Sequence, residues 1–368
     1  KIAPNYDGPV VHVQDASRAV GVAAALRARQ QRPEFVRKTG ADYAALREAH
    51  PAMHIALLTT PGAAPVVRGG PLADEVLTSS RQIFSPRQPS LSEAHSAIQL
   101  LRQLRAGAYD TILFLHHLTT QAGALKLAAL ATAASSPRRV GLDNGRGFFL
   151  TDHLTDDGFG AKHQAQYWLD LAALLGADPR PRPAQVAIRE ADRAWAAEQL
   201  ARADGQNDEG LLVLHGARGG YSLARRWEPE KFAQVADKLA RERGLRLVLV
   251  GGPGDDNAAL KAALHSPALD LTGKTSIGQL TAVLERAALF IGADSGVMHL
   301  AAAAGAPVAA IFGPSNHEAW GPWTPGGRSL IARSAVECSP CSYVGHSIGL
   351  REGCAARTCM KLVTSDQV

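Results

Sequence analysis

The chain has 368 residues, 46% of them hydrophobic and 20% charged, which describes an ordinary folded protein long enough for two domains and excludes a disordered one. No apolar run reaches the roughly 18–20 residues of a membrane span, the nearest being the short Ala-rich stretch 125–134. Thirty-nine Lys and Arg against 34 Asp and Glu leave a net +5; the arginines are scattered and no aromatic stacking array accompanies them, so nucleic-acid binding is not expected.

An anionic small molecule, or the anionic face of a membrane, accounts for that excess as well as solvated surface does. The first residues lack the basic-then-apolar pattern of a secretory signal, so a cytoplasmic protein is expected, with peripheral contact at the inner membrane surface as the one membrane role left open.

In chain order, residues 10–13 (VVHV) read as a first strand, 14–18 as its loop and the Ala-rich 19–29 as a helix. Residues 30–40 are polar and carry Pro33, so a loop or a weak helix is expected there. A capped helix over 42–50 and a strand over 53–58 follow, closed by Thr60-Pro61-Gly62, with a short strand at Val76-Leu77 and an exposed, proline-bearing loop over 79–92. Then come a helix at 93–106, a strand at 111–115 ending in His116-His117, a helix at 121–131, a short strand at 138–141 and an amphipathic helix at 162–175. The Pro- and Arg-rich run 178–183 reads as a linker between domains of 1–180 and 184–368.

The second half repeats the alternation: strands at 211–214, 245–250, 269–271, 287–291 and 307–312, and helices at 229–243, 257–264, 277–285 and 297–304. Alternating strands and helices predict βαβ units and parallel sheets, hence an α/β fold of two Rossmann-like halves facing a cleft. Ligands of such sheets bind beyond the carboxyl ends of the strands.

The motifs lie at those strand ends. In Asp294-Ser295-Gly296-Val-Met-His299 a strand gives way to a helix, which gathers free backbone N–H groups and the positive end of a helix dipole at one point, a seat for phosphate. The plain alternative is that Asp294 or Ser295 merely caps the helix and His299 packs. A second loop, His215-Gly216-Ala-Arg218-Gly219-Gly220 followed by Arg225-Arg226-Trp227, also leaves a strand end, and its glycines and arginines suit an anion; alone it reads equally as a solvated surface loop. Gly251-Gly252-Pro253-Gly254 lacks the spacing of a dinucleotide fingerprint and reads as a tight turn near a nucleotide; no GxxxxGK[ST] run is present. His116-His117 would face the cleft, where sugar hydroxyls or acid–base work suit a His pair, or else one ring points inward and one to solvent. Cys338-Ser-Pro-Cys341 with Cys354 and Cys359 has spacing that fits a structural zinc, with free thiols the equal alternative and no catalytic part expected.

The run DSGVMHLAAAAGAPVAAIFGPSNHEAWGP, the upstream RRWEPEKFAQVADKL and VLVGGP, and the tail CSPC…C…CMKL together resemble glycosyltransferase family 9, the heptosyltransferases of lipopolysaccharide assembly. The resemblance covers about 51–368 and is closest over 211–368. It implies a GT-B fold with the nucleotide-sugar on the C-terminal domain, and an inverting, metal-independent transfer without cofactor from an ADP-heptose-like donor to a saccharide or glycolipid acceptor. By the matching motif, Ser295, Gly296 and His299 would hold the diphosphate, helped by the turn amides, with Asp294, Gly216, Arg218, Arg226, Gly251 and Gly252 as further donor-binding candidates. Arg225 stands where the family usually has a lysine and would offset charge on the departing diphosphate; His116 and His117 are the acceptor-side candidates.

The first fifty residues depart from the family, which normally opens with a strand and a Gly-Asp loop supplying the base. Here Asp15, placed after a strand and before a helix, is the candidate base. That departure leaves two other readings open, a GT-B protein that holds a nucleotide-sugar without transferring it, and a sugar-nucleotide epimerase on the same fold.

Overall fold

The computed structural model describes residues 23–28, 41–61, 64–68, 70, 73–79, 90–184, 186–202, 210–216, 223–350 and 353–368. The first half runs β1 (Ala23–Ala28), α1 (Ala41–Ala49), β2 (Met53–Thr59), α2 (Ala64–Val67), β3 (Glu75–Thr78), α3 (Leu91–Gly107), β4 (Thr111–Phe114), α4 (Gln121–Ala134), β5 (Arg138–Asp143), β6 (Asp152–Thr155) and α5 (Gln164–Ala173). The second runs α6 (Glu190–Arg202), β7 (Leu211–His215), α7 (Pro229–Arg243), β8 (Arg246–Leu249), α8 (Ala258–Ala263), β9 (Ala268–Asp270), α9 (Ile277–Glu285), β10 (Ala287–Ala293), α10 (Gly296–Ala303), β11 (Val308–Phe312), α11 (His317–Trp320), β12 (Ser329–Arg333), β13 (Ser342–Val344), β14 (Ser347–Gly349) and α12 (Thr358–Lys361).

Each half holds a six-stranded sheet, ordered β3-β2-β1-β4-β5-β6 in the first and β12-β11-β10-β7-β8-β9 in the second. The two orders are the same pattern. In both, the order turns back beside the half's first described strand, between β1 and β4 and between β7 and β10; in a parallel sheet such as the second, strand ends at this point are where a ligand crevice can form.

The second sheet is parallel throughout. Its central strands are apolar along their length because helices cover both faces. On one face Val213, Val248, Phe290, Ala310 and Phe312 pack against α6, α9 and α10. On the other, Leu212, Leu214, Leu249, Ile291 and Ile311 meet Phe232 and Ala236 of α7 and Met360 of α12. Each fully buried Leu, Ile or Phe contributes roughly 1.5–3 kcal/mol, so the strand ends that carry the polar residues rest on a rigid base.

The first sheet corrects two expectations. Residues 19–29 were expected to be helical from their alanines, yet Ala23–Ala28 is a strand, and it runs antiparallel to both β2 and β4. Alanine's helix propensity is a weak local prior, and pairing along two open strand edges outweighs it. The parallel expectation holds for the remaining pairs, β2–β3, β4–β5 and β5–β6. The expected strand at 10–13 and loop or weak helix at 30–40 lie outside the described residues. The sequence reading also passed over α6, β6, β12, β13 and β14, which are short or polar-faced.

The halves meet along a seam of polar and aromatic contacts. Asn316 Nδ2 donates to Phe159 O (3.2 Å) and Tyr343 O (2.9 Å). His163 pairs with Gly321 O at 2.9 Å and stacks on Trp323. Phe159 N donates to Gly345 O at 2.6 Å, which fixes the β13–β14 hairpin against the first half. The linker run 178–183 is fastened: Arg182 pairs with Glu48 of α1, and Trp323 Nε1 donates to Arg182 O. No helix among the described residues is long and apolar enough to cross a membrane.

Candidate functional site

The site begins where β10 hands over to α10. Asp294 follows the last strand residue and its amide still donates to Ile311 O, so its side chain is set at the carboxyl end of the sheet. Ser295 is extended (φ −156°) and caps the helix, its hydroxyl accepting from Met298 N at 3.3 Å. Gly296 and Val297 open the helix, and their N–H groups have no intrahelical acceptor by construction, so they face outward with the positive dipole end. Capping and anion binding are thus the same geometry.

Arg225 and His299 stand against that turn. Arg225 Nη1 lies 2.9 Å from Asp294 Oδ2, with both side chains almost wholly buried. His299 Nε2 lies 3.9 Å from Asp294 Oδ1. Arg225 ends a short 3-10 turn at Leu223–Arg225, and Trp227, buried against Phe232, anchors the segment that follows it. Trp227 Nε1 donates to Val363 O, so the chain's last residues help to hold Arg225 in place. Asp294 thus holds Arg225 and lies against His299.

The end of β7 lies beside this turn, Gly292 pairing with His215 across the sheet. His215 Nδ1 is 3.2 Å from Ser295 Oγ, and its Nε2 is 3.4 Å from Asp255 Oδ2. Asp255 Oδ2 also accepts from Gly252 N at 2.7 Å. The Gly251-Gly252 turn is therefore wrapped on a carboxylate, and a Cβ at Gly251 would come within 3.0 Å of Asp255. Burial works to raise the Asp255 carboxyl, but the hydrogen bonds from His215 and Gly252 and the charge of Arg226 outweigh it and hold the group below its ordinary value. Arg226, half-buried, is thus brought to this corner, and Gly216 follows His215 directly. Arg218 and Asp15 lie outside the described residues.

On the other half, the two histidines part. His117 turns inward: Nδ1 meets Asp156 Oδ1 at 2.7 Å, Nε2 meets the Gln164 amide, and Phe159, Tyr167 and Trp168 surround the ring. Asp156 is further held by Asn144 and by Gly158 N. Both ring nitrogens are engaged, so the expectation that His117 touches an acceptor is corrected: its ring is a buried polar tie. His116 remains half-buried, its Nδ1 held by its neighbour's carbonyl, and burial followed by the nearby His117 pushes it down to about 4. It is neutral at neutral pH.

Cys338, Cys341, Cys354 and Cys359 are free thiols, and burial followed by their mutual proximity pushes Cys341 and Cys359 up. Among the described residues no group of three or more His, Cys, Asp or Glu side chains is arranged to hold a metal ion, so the zinc alternative finds no support there. An open groove of about 730 Å³ along α7, lined by Asp237, Lys238, Arg241 and His265 among others, touches none of the site residues.

The structure therefore brings Arg225, Arg226, Asp294, Ser295, Gly296, His299, Gly216, Gly251 and Gly252 to neighbouring strand ends of the second sheet, and leaves His116 and His117 on the other half. The sequence reading missed Asp255, which the spacing Gly252-Pro-Gly-Asp255 hints at as a turn closed by a side-chain carboxylate. It also quoted His215 without giving it a part, since nothing local marks a strand-end histidine. Fixed amides, a helix dipole, buried Arg225 and half-buried Arg226 at the switch point of a parallel sheet can bind a diphosphate and stabilise negative charge that develops on it.

The profile of glycosyltransferase family 9 (heptosyltransferase) matches residues 97–349. Lipopolysaccharide heptosyltransferase 3 of Escherichia coli K12 is 40% identical over 125 residues, 33% of this chain and 35% of that protein. The match thus spans about a third of the length of the curated relatives first found. Among solved structures, a glycosyltransferase family 9 protein from Veillonella parvula is similar at TM-score 0.64 and 25% identity, covering 78% of this chain and 79% of that one. ADP-heptose lipopolysaccharide heptosyltransferase II of E. coli shares the fold at TM-score 0.62 and 20% identity, over 88% of this chain and 90% of that one.

Proposed function

We propose, for a chain that belongs to glycosyltransferase family 9, that the corner at Ser295 receives the diphosphate of an ADP-heptose-like donor and that the sugar passes, with inversion, to a hydroxyl of a cell-envelope saccharide or glycolipid. The observation that carries this reading is the buried Arg225–Asp294 pair beside the capped amino end of α10, at the point where the strand order reverses. The name of the E. coli protein whose fold it shares supports the adenine nucleotide and the heptose. The acceptor would meet the first half across the cleft, at the cytoplasmic face of the inner membrane, with half-buried His116 at its rim.

The chemistry asks for three things. An acceptor oxygen attacks the anomeric carbon from the face opposite the diphosphate, and the bond to the phosphate oxygen breaks as the new one forms. Asp15, proposed as the base from its place in the sequence, takes the hydroxyl proton. The electron pair leaves on the diphosphate, where the α10 amides, the Ser295 hydroxyl, Arg225 and Arg226 stabilise it; with that charge supplied by the protein, the reading requires no divalent cation. His299, held toward Asp294, fixes the orientation of the pair.

Asp15 stands in the run VVHVQDASRAV without the family's Gly-Asp loop, which favours a second reading, a nucleotide-sugar-binding protein that does not transfer. Incubation with ADP-heptose and a heptose-accepting lipopolysaccharide core separates the two. The first reading predicts acceptor-dependent ADP release that Asp15→Ala abolishes while ADP still binds; the second predicts binding without release.

A further inference from the structure

The chain of contacts Asp255–His215–Ser295 spans three strand ends, those of β8, β7 and β10, and as a chain has no role above. His215 Nε2 reaches Asp255 Oδ2 at 3.4 Å and Nδ1 reaches Ser295 Oγ at 3.2 Å. His215 and Asp255 are both largely buried, their side chains 12% and 14% exposed. Ser295 Oγ already accepts the Met298 amide. In the neutral ring, Nε2–H donates to the carboxylate, so Nδ1 can only accept and the serine hydrogen must point at the histidine. In that state Ser295 has no proton to offer an incoming phosphate oxygen.

We infer that His215 is a positioning residue that takes up a proton when the diphosphate arrives, and so turns the Ser295 hydroxyl from the histidine to the ligand. This rests on the reading that the corner receives a diphosphate. One proton from solvent goes to Nδ1. Both ring nitrogens then donate, Nε2–H to Asp255 Oδ2 and Nδ1–H to Ser295 Oγ. The serine oxygen, with two lone pairs, accepts from Nδ1 and from Met298 N, and its own hydrogen is released toward the phosphate. No other bond is made or broken.

The surrounding charges favour that exchange in the occupied state. Asp255 faces the ring from the loop after β8, with Arg226 close enough to act on it. Across β10 stand the Arg225–Asp294 pair and His299. In the empty corner Arg226 competes with the ring for Asp255; an arriving diphosphate adds negative charge that occupies the arginine, leaving the carboxylate of Asp255 to stabilise the imidazolium. The same proton returns to solvent when the nucleotide leaves, so departure is easier at higher pH.

Titration calorimetry of the full chain with ADP, in buffers of different ionisation enthalpy between pH 6.5 and 8.5, counts the protons taken up. His215→Gln, titrated identically, subtracts the ionisation of ADP itself. The expected result is an uptake of up to one proton per ADP beyond that of the variant, with the wild-type advantage in affinity growing as pH falls, by at most about tenfold per pH unit. Asp255→Asn should lower the uptake while ADP still binds. Equal proton counts and parallel affinity profiles for wild type and His215→Gln would overturn the relay while leaving the donor site standing. Absence of ADP binding at any pH would overturn the donor-site reading and the relay with it.

Discussion

Arg225 and Asp294 form an ion pair at 2.9 Å whose side chains are 7% and 1% exposed, joining a 3-10 turn to the β10–α10 turn. A pair this deep holds its place only because each charge answers the other. Substitution of one partner, Asp294→Ala or Arg225→Ala, should destabilise the protein by about 3–5 kcal/mol, because the remaining charge is left buried. The double variant should lose less than the sum of the two, as urea unfolding of all four proteins would show.

The seam between the halves rests on a point where backbones nearly touch. Gly158 has φ +88°, and a Cβ there would fall 2.7 Å from the backbone of Gly345. Gly158→Ala is therefore expected to push the β13–β14 hairpin off the first half and break the bond from Phe159 N to Gly345 O. Hydrogen exchange should report it: the Phe159 amide should lose protection while amides in the centre of β10 keep theirs.

His116 gives a pH test whose sign is set by its burial. The ring is pushed from 6.5 to about 4 in the folded protein, first by desolvation and then by His117. The unfolded chain therefore binds more protons between these values. The contribution is fully present above pH 6.5 and is lost as pH falls toward 4, amounting to at most about 3 kcal/mol. His116→Gln should flatten that part of the stability profile relative to wild type, and equal slopes for the two proteins would contradict the assignment.

Much of this architecture is written locally. The α7 helix, Pro229–Arg243, is bounded by a proline in its first turn and by Gly244 in the left-handed region at φ 63°, signals that sequence alone displays. The α9 helix opens on a capping box between Ser276 and Gln279. The Ser295 turn is legible for the same reason, since a cap is a local pattern.

What was not legible depends on partners distant in sequence. Ala23–Ala28 carries helix-forming residues and becomes a strand because β2 and β4 flank it. His117 looks like a cleft residue until Asp156 and Gln164, well downstream, claim its two nitrogens. His215, Asp255 and Ser295 meet only because the strand order reverses between β7 and β10.

The proposed role of the Ser295 corner is to grip the diphosphate of an adenine nucleotide. Thermal unfolding of the wild type with ADP, UDP and GDP, each at equal concentration, tests it beside Ser295→Ala. ADP at about a hundredfold its Kd should add about 2.7 kcal/mol to stability, more than UDP or GDP adds. In Ser295→Ala, which loses a helix cap of about 1 kcal/mol, that ADP increment should shrink markedly. A wild-type protein indifferent to all three nucleotides, or one whose ADP response is unchanged in Ser295→Ala, would contradict it.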